Sequence, residues 1–173
     1  PCKNCRGGGY VRATKKLAVS IPAGIDDGQG SALRGEGSDG RNGGPAGDLT
    51  ISVNVRPHAF FERDGYDIYC DVPVTFADAA LGADLQVPTI DGSETLHIPE
   101  GPQPGTTFTL INKGVQVVNS KNRGNMYITV VVEVPKGLNG KQKDLLRQFH
   151  ESCGSNNHSK REKFMKKFFR KDS

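Results

Sequence analysis

Along residues 49–55 the side chains alternate for seven positions, with Leu49, Ile51, Val53 and Val55 on one face and Thr50, Ser52 and Asn54 on the other. That two-residue period predicts a half-buried strand. Residues 126–132 repeat the pattern, except that Val131 stands where the first segment has polar Asn54, which predicts a strand covered on both faces. Alternation also predicts strands over residues 67–74 and over residues 15–21, the latter leading into an Ile-Pro-x-Gly turn. Residues 85–87 and 94–98 predict a hairpin about Asp91-Gly92, a dipeptide suited to tight strand reversal. Residues 75–81 predict one short helical turn stopped by Gly82. Residues 35–47 hold too many glycines for helix or strand and predict a loop. Residues 58–65, with two phenylalanines anchoring a turn, predict a connector.

The period changes over the last 36 residues. Asn139 is a candidate N-cap with Gln142 at the third helical position, and Leu145, Leu146, Phe149 and Cys153 fall on one stripe, with Gly154 as the stop. A polar linker follows. Ser159 and Glu162 then predict a second capping box ahead of Phe164, Met165, Phe168 and Phe169, which share one helical face. A helix of about a dozen residues is marginal alone in water, so this apolar face needs a partner.

The strand patterns belong to a repeat. Residues 21–55 shifted by 77 positions overlay residues 98–132 without a gap: Ile21, Pro22, Gly24, Gly28, Leu33, Gly37, Asn42, Gly47, Ile51, Val53 and Val55 are identical to their counterparts. Eleven identities in thirty-five positions compare with roughly two expected from average usage. The repeated residues are glycines and strand-type apolar residues, which set turns and a sheet face rather than carry proton or phosphoryl chemistry. The expected organisation is a stub at 1–9, a first β domain at 10–63, a second at 64–137, and a helical tail at 138–173. Each module is small enough to share an interface or lean on a neighbour.

Composition agrees with a turn-rich β protein: 22 Gly, 10 Pro and 35% apolar residues in 173. No apolar run approaches the roughly eighteen residues of a membrane span, and no signal-peptide pattern opens the chain, so the expectation is a soluble, cytoplasmic protein. Pro1 in place of Met points to a fragment of something longer. The net charge of +4 is unevenly placed, with ten Lys/Arg against four Asp/Glu in residues 138–173 and thirteen against fifteen before them. The body therefore offers no general basic face to a nucleic acid.

Candidate chemistry is sparse. Cys2-Lys3-Asn4-Cys5-Arg6-Gly7-Gly8-Gly9 fits Cys-x-x-Cys-x-Gly-x-Gly, whose spacing lets two thiolates reach one Zn²⁺, half of a structural site. A redox dithiol is the competing reading, but no βαβ pattern flanks the pair. Cys70 and Cys153 have no ligand neighbour and read as small buried hydrophobes. The glycine-rich loop lacks the Gly-Lys-Ser/Thr ending of a phosphate loop, and His58, His97, His150 and His158 make no metal pair or nucleophile arrangement. These observations argue against an enzyme.

Several stretches together resemble the C-terminal half of a DnaJ-type co-chaperone of the zinc-repeat class. They are Cys2 to Gly9, Ile21-Pro22-Ala23-Gly24-Ile25-Asp26-Asp27-Gly28, Pro45-Ala46-Gly47-Asp48-Leu49, His58-Ala59-Phe60-Phe61-Glu62-Arg63-Asp64-Gly65, Val87-Pro88-Thr89-Ile90-Asp91-Gly92, and Leu138-Asn139-Gly140-Lys141-Gln142-Lys143. The resemblance runs over essentially the whole chain. It implies a mainly β fold, with two tandem β-sandwich or barrel-like domains followed by short C-terminal helices for dimerisation. It also implies a heat-shock co-chaperone that holds unfolded polypeptides for a DnaK-type ATPase chaperone and works as a homodimer. Clients would add a strand to the first β domain and enter a shallow apolar pocket, where Leu17 and Ile51 are the matching substrate-binding positions. Phe164, Met165, Phe168 and Phe169 would carry dimerisation.

Departures from the family pattern restrict these implications. There is no J domain and no His-Pro-Asp triplet, so stimulation of a partner ATPase is not expected of this chain alone. The three earlier zinc repeats are absent, so zinc belongs to the longer protein, and Cys2 and Cys5 would be an empty half-site. The first β domain would lack a strand, leaving an open edge or a pairing with another copy. The alternative of a nucleic-acid binder, using the zinc stub and basic tail, lacks an exposed aromatic strand platform, and a membrane-surface role for the tail needs more special pleading than dimer contact.

Overall fold

The structure, a computed structural model, describes residues 13–40 and 44–169 together with Lys3, Cys5 and Val11. The sequence's alternating segments become strands wherever a neighbour completes their ladder. Strands β1 (Gly30–Leu33) and β2 (Leu49–Ser52) form an antiparallel pair. Strands β3 (Glu62–Asp64), β4 (Asp67–Thr75), β7 (Thr107–Leu110) and β8 (Met126–Glu133) form a sheet in the order β3-β4-β8-β7, and β5 (Ala83–Thr89) pairs with β6 (Gly92–Ile98) as a hairpin. In the four-stranded sheet β4 runs parallel to β8, with Ile68 opposite Met126 and Val74 opposite Val132, while the other pairings are antiparallel.

The core lies between that sheet and the hairpin. Ile68, Cys70 and Val74 of β4, Met126, Ile128 and Val130 of β8, and Val87, Leu96 and Ile98 of the hairpin close one cluster. Met126, Ile128 and Val130 are fully covered, each such burial contributing about 1.5–3 kcal/mol. Helix α1 (Phe76–Leu81) lids the cluster with buried Ala79. Thr75 caps it by accepting from the Asp78 N–H at 3.1 Å, and Gly82 ends it at φ +78°, a backbone region that costs glycine little.

The repeat is present in three dimensions at the same 77-residue offset. Gly30 opposes Ser52 and Leu33 opposes Leu49 in the first copy, as Thr107 opposes Thr129 and Leu110 opposes Met126 in the second. The Gly28 N–H donates to the Val53 carbonyl at 2.9 Å, and the Gly105 N–H to the Val130 carbonyl at 3.0 Å. Gly37 donates to the Gly47 carbonyl as Gly114 does to that of Gly124, at 2.7 and 2.8 Å.

The tail holds α2 (Gly140–Ser152) and α3 (Ser159–Phe169). Asn139 caps α2 as expected, with both bonds of the capping box at 2.9 Å. Five local expectations differ. Val131, expected to make β8 covered on both faces, is 44% exposed, so only one face of β8 is sealed. Residues 15–21 form no strand: they are mostly exposed, and no strand among the described residues pairs with them, so alternation there has no ladder to join. Glu62–Asp64 is strand rather than connector, because the Gly65-Tyr66 turn folds it onto β4. Helix α2 stops at an extended Cys153 rather than through Gly154, whose φ of −97° is not left-handed. Ser159 is itself helical, entering α3 directly from a 3-10 turn at Ser155–His158, so it caps nothing.

Candidate functional site

The two copies of the repeat differ in what flanks their second strand. β8 is flanked by β7 on one side and β4 on the other, whereas among the described residues β2 pairs with β1 alone. The consequence is visible residue by residue: Met126, Ile128 and Val130 are fully buried, while their counterparts Leu49, Ile51 and Val53 are half-buried. Val53 turns both its backbone N–H and its carbonyl toward the β1 side, bonding Gln29 and Gly28 at 2.9 Å each. By strand alternation the backbone groups of Thr50, Ser52 and Asn54 face the other way, toward an edge that no described strand occupies. An extended chain laid there would find main-chain partners beside a partly covered row of Leu49, Ile51 and Val53.

Of the expected substrate-binding residues, Ile51 sits on this strand opposite Ser31, and Leu17 is half-buried in the irregular segment 13–29. They come from separate elements, and neither lines the two concavities described next. One, of about 540 Å³, is lined by Phe76 and Thr75 of the α1 end, by Leu138, and by Gln142, Leu145 and Leu146 of α2. Phe149 of α2 meets Phe76 edge-to-face at 6.1 Å, so α2 leans on α1 through its apolar stripe. The other, of about 1100 Å³, lies along the junction of the repeats, from Asp26 and Asp27 past Val55, Phe61 and Arg63 to Ile90. The stripe on α2 was readable from spacing, but Phe76 as its counterpart was not, since nothing local relates residues 76 and 149.

On α3 the four expected dimerisation residues are exposed, Phe164 at 66%, Met165 at 38%, Phe168 at 57% and Phe169 at 62%. Phe164 stacks on Phe168 at 6.4 Å and Phe168 meets Phe169 at 5.4 Å, so the helix gathers its aromatics into one patch. Lys160 reaches back to the Gln103 side-chain carbonyl at 3.2 Å. No helix is long and apolar enough to cross a membrane among the described residues.

Comparison with known proteins adds to this geometry. The family model described as DnaJ C terminal domain matches residues 6–135, and that described as Chaperone protein DnaJ C-terminal region matches residues 141–171. The chain belongs to the DnaJ C-terminal domain family. Curated relatives named Chaperone protein DnaJ are 52% identical over 167 residues in Acetivibrio thermocellus, covering 96% of this chain and 43% of the relative. In Clostridium acetobutylicum the identity is 52% over 169 residues, covering 98% and 45%. A third, from Halalkalibacterium halodurans, is 52% identical over 153 residues, covering 88% and 41%. The chain thus spans less than half the length of these DnaJ relatives.

The zinc-repeat resemblance raises a fit test for the metal. Cys5 is a half-buried free thiol, Cys2 lies outside the described residues, and no group of three or more His, Cys, Asp or Glu is placed to hold a metal among the described residues. A tetrahedral structural site takes four ligands, and the described residues supply one, so they do not fit a complete centre. Cys70 is buried, and that burial, with the Asp71 carboxylate adding to it, pushes its thiol above the ordinary value. Such a thiol is inert packing material. Cys153, expected to be buried, is half-buried at the end of α2.

Two of the four histidines also have partners. His58 stacks on Phe61 at 4.8 Å, and its Nδ1 accepts from the Phe60 N–H at 3.2 Å. His97 Nδ1 lies 2.7 Å from Asp84 Oδ1 on an exposed face of the hairpin. Neither geometry presents a nucleophile to a base.

Proposed function

We propose that this chain is the client-holding and self-associating part of a DnaJ-type co-chaperone, keeping non-native polypeptides for a DnaK-type ATPase chaperone in the cytoplasm. The observation that carries the reading is the edge of β2 that no strand among the described residues occupies, with Ile51 half-buried where its repeat counterpart Ile128, on a strand flanked by β4 and β7, is fully buried. Strand addition uses backbone groups that every polypeptide owns, so it binds without demanding a sequence, while the apolar row favours the Leu-like side chains that folded proteins hide. Leu17 and Ile51 are the proposed contacts for those side chains. Holding of this kind makes and breaks no covalent bond, in keeping with a chain that is not an enzyme.

In this reading the first β module covers residues 10–63 and the second residues 64–137, and residues 138–173 join two copies through Phe164, Met165, Phe168 and Phe169. The longer protein would carry the zinc, with Cys2 and Cys5 as two of the ligands. The test is suppression of aggregation of a denatured protein by the native chain and by a Leu17→Ser, Ile51→Ser double variant of unchanged circular dichroism. Loss of holding in the variant supports the pocket, and full holding by the still-folded variant removes it.

A further inference from the structure

The two copies of the repeat share an Ile-Pro-x-Gly turn, but a guanidinium from the four-stranded sheet grips the first copy's turn, whereas the second's is tied within its own module, Gly101 N–H donating to the Ala79 carbonyl of α1 at 2.9 Å. Arg63 of β3 spends its guanidinium on the first copy's turn: Nη1 donates to the Ile25 carbonyl at 2.9 Å and Nη2 to the Gly24 carbonyl at 2.9 Å, and Nη2 also pairs with the Asp26 carboxylate. Nε donates to the Gly65 carbonyl at 2.7 Å, which fixes the fork against the β3–β4 turn. The Arg63 side chain is 23% exposed, so these bonds lie mostly out of water. A planar fork with several fixed acceptors is a geometry a lysine ammonium does not reproduce.

A second contact, made by backbone alone, holds the same turn. A Cβ built on Gly24 would stand 1.8 Å from the Gln116 carbonyl oxygen, in the connection between β7 and β8, whereas one built on Gly101, the repeat counterpart, meets nothing within 4 Å. Both glycines sit at positive φ, +85° and +73°. Their conformational demand is therefore the same, and only Gly24 adds a close approach to the other repeat. Asp26 corresponds to Gln103, whose side chain accepts from Lys160 at 3.2 Å and donates to the Gly101 carbonyl of its own turn at 3.3 Å, with no arginine on it.

We infer that Arg63 is a clasp between the repeats: with the Gly24–Gln116 seam it sets the angle at which the open edge of β2 is carried relative to the four-stranded sheet. It is a positioning residue, away from the proposed client contacts. The clasp itself stands on geometry alone, and its effect on holding rests on the client-binding reading above.

The test is the alignment of the two sheets in the 173-residue chain, read from one-bond N–H residual dipolar couplings. In the native chain the couplings of β1–β2 and of β3-β4-β8-β7 should fit one alignment tensor. In Arg63→Met that common fit should be lost while amide shifts inside each sheet are retained, and Arg63→Lys should restore it in part. Gly24→Ala should also lose the common fit, and Gly101→Ala, with the same backbone strain and no seam, should keep it. Should Arg63→Met not fold, the two glycine variants decide alone. One tensor for both sheets in Arg63→Met and Gly24→Ala, or equal loss in Gly101→Ala, would overturn the clasp. A short extended Leu-containing peptide should bind the native chain and Arg63→Met alike. A peptide that binds neither strikes the client reading and leaves the clasp to the couplings.

Discussion

Ile51 and Ile128 are one repeat position in two environments, and the difference is measurable. Ile128 is fully buried in the sheet core, so Ile128→Ala should cost about 2–5 kcal/mol by transfer and cavity terms together. Ile51 is half-buried and should lose about 1 kcal/mol or less on the same change, both read from urea midpoints at constant slope. Cys70 gives a pH-dependent counterpart. Its thiol pKa is raised in the folded chain by burial first and Asp71 second, so the unfolded chain releases that proton at lower pH. The associated stability is present below the unfolded thiol's pKa and is lost as pH rises through the folded one. Native chain minus Cys70→Val should show that decline on the alkaline side, and an alkaline profile identical in both proteins would refute it. The residue types at these positions were legible as apolar alternation, but their unequal burial was not. It depends on β4, which lies 58 residues from its partner β8 in register, beyond the reach of any local pattern.

At the scale of elements, what sequence discloses is what short-range physics decides. The Asn139 cap is one such feature, since both its bonds span three residues, and Asn139→Ala should destabilise α2 by about 1 kcal/mol, seen as faster amide exchange over Gly140–Ser152. The hairpin was equally readable, although its two-residue turn is Ile90-Asp91, with Gly92 already the first residue of β6. Alternation at residues 15–21 misled because a strand is a relation between two segments, and the second is absent among the described residues. β3 escaped notice for the converse reason: three residues are too few to show a period, yet they pair once Gly65 takes φ +58°. The family resemblance gave, for the first domain, either an open edge or a pairing with another copy. The grip of Arg63 on residues 24–26 was not anticipated, since a lone arginine in a turn-forming stretch carries no spacing signal.

At the scale of the whole molecule, charge and grease are segregated. α3 carries Lys160, Arg161, Lys163, Lys166 and Lys167 against Glu162, around an aromatic patch that this chain leaves exposed. Two such tails brought together repel, so the proposed dimer should hold as well or better when salt rises from about 0.05 to 0.5 M, where screening shortens the reach of that repulsion. Light scattering across that range checks it, and dissociation at high salt would count against an apolar contact. Deleting residues 159–173 should leave a monomer, and a dimer surviving the deletion would move the interface elsewhere.

The parallel pairing of β4 with β8 also has a consequence in time. On a ribosome, β5 and β6 can close on each other as soon as they emerge, but β4, joined locally only to the three residues of β3, must wait for β8, 58 residues downstream, an interval of about 3–12 s at ordinary translation rates of about 5–20 residues per second. Through those seconds the nascent chain displays Ile68, Cys70 and Val74 on a strand whose β8 edge is open, and so offers to its own finished sisters the kind of segment they are proposed to hold.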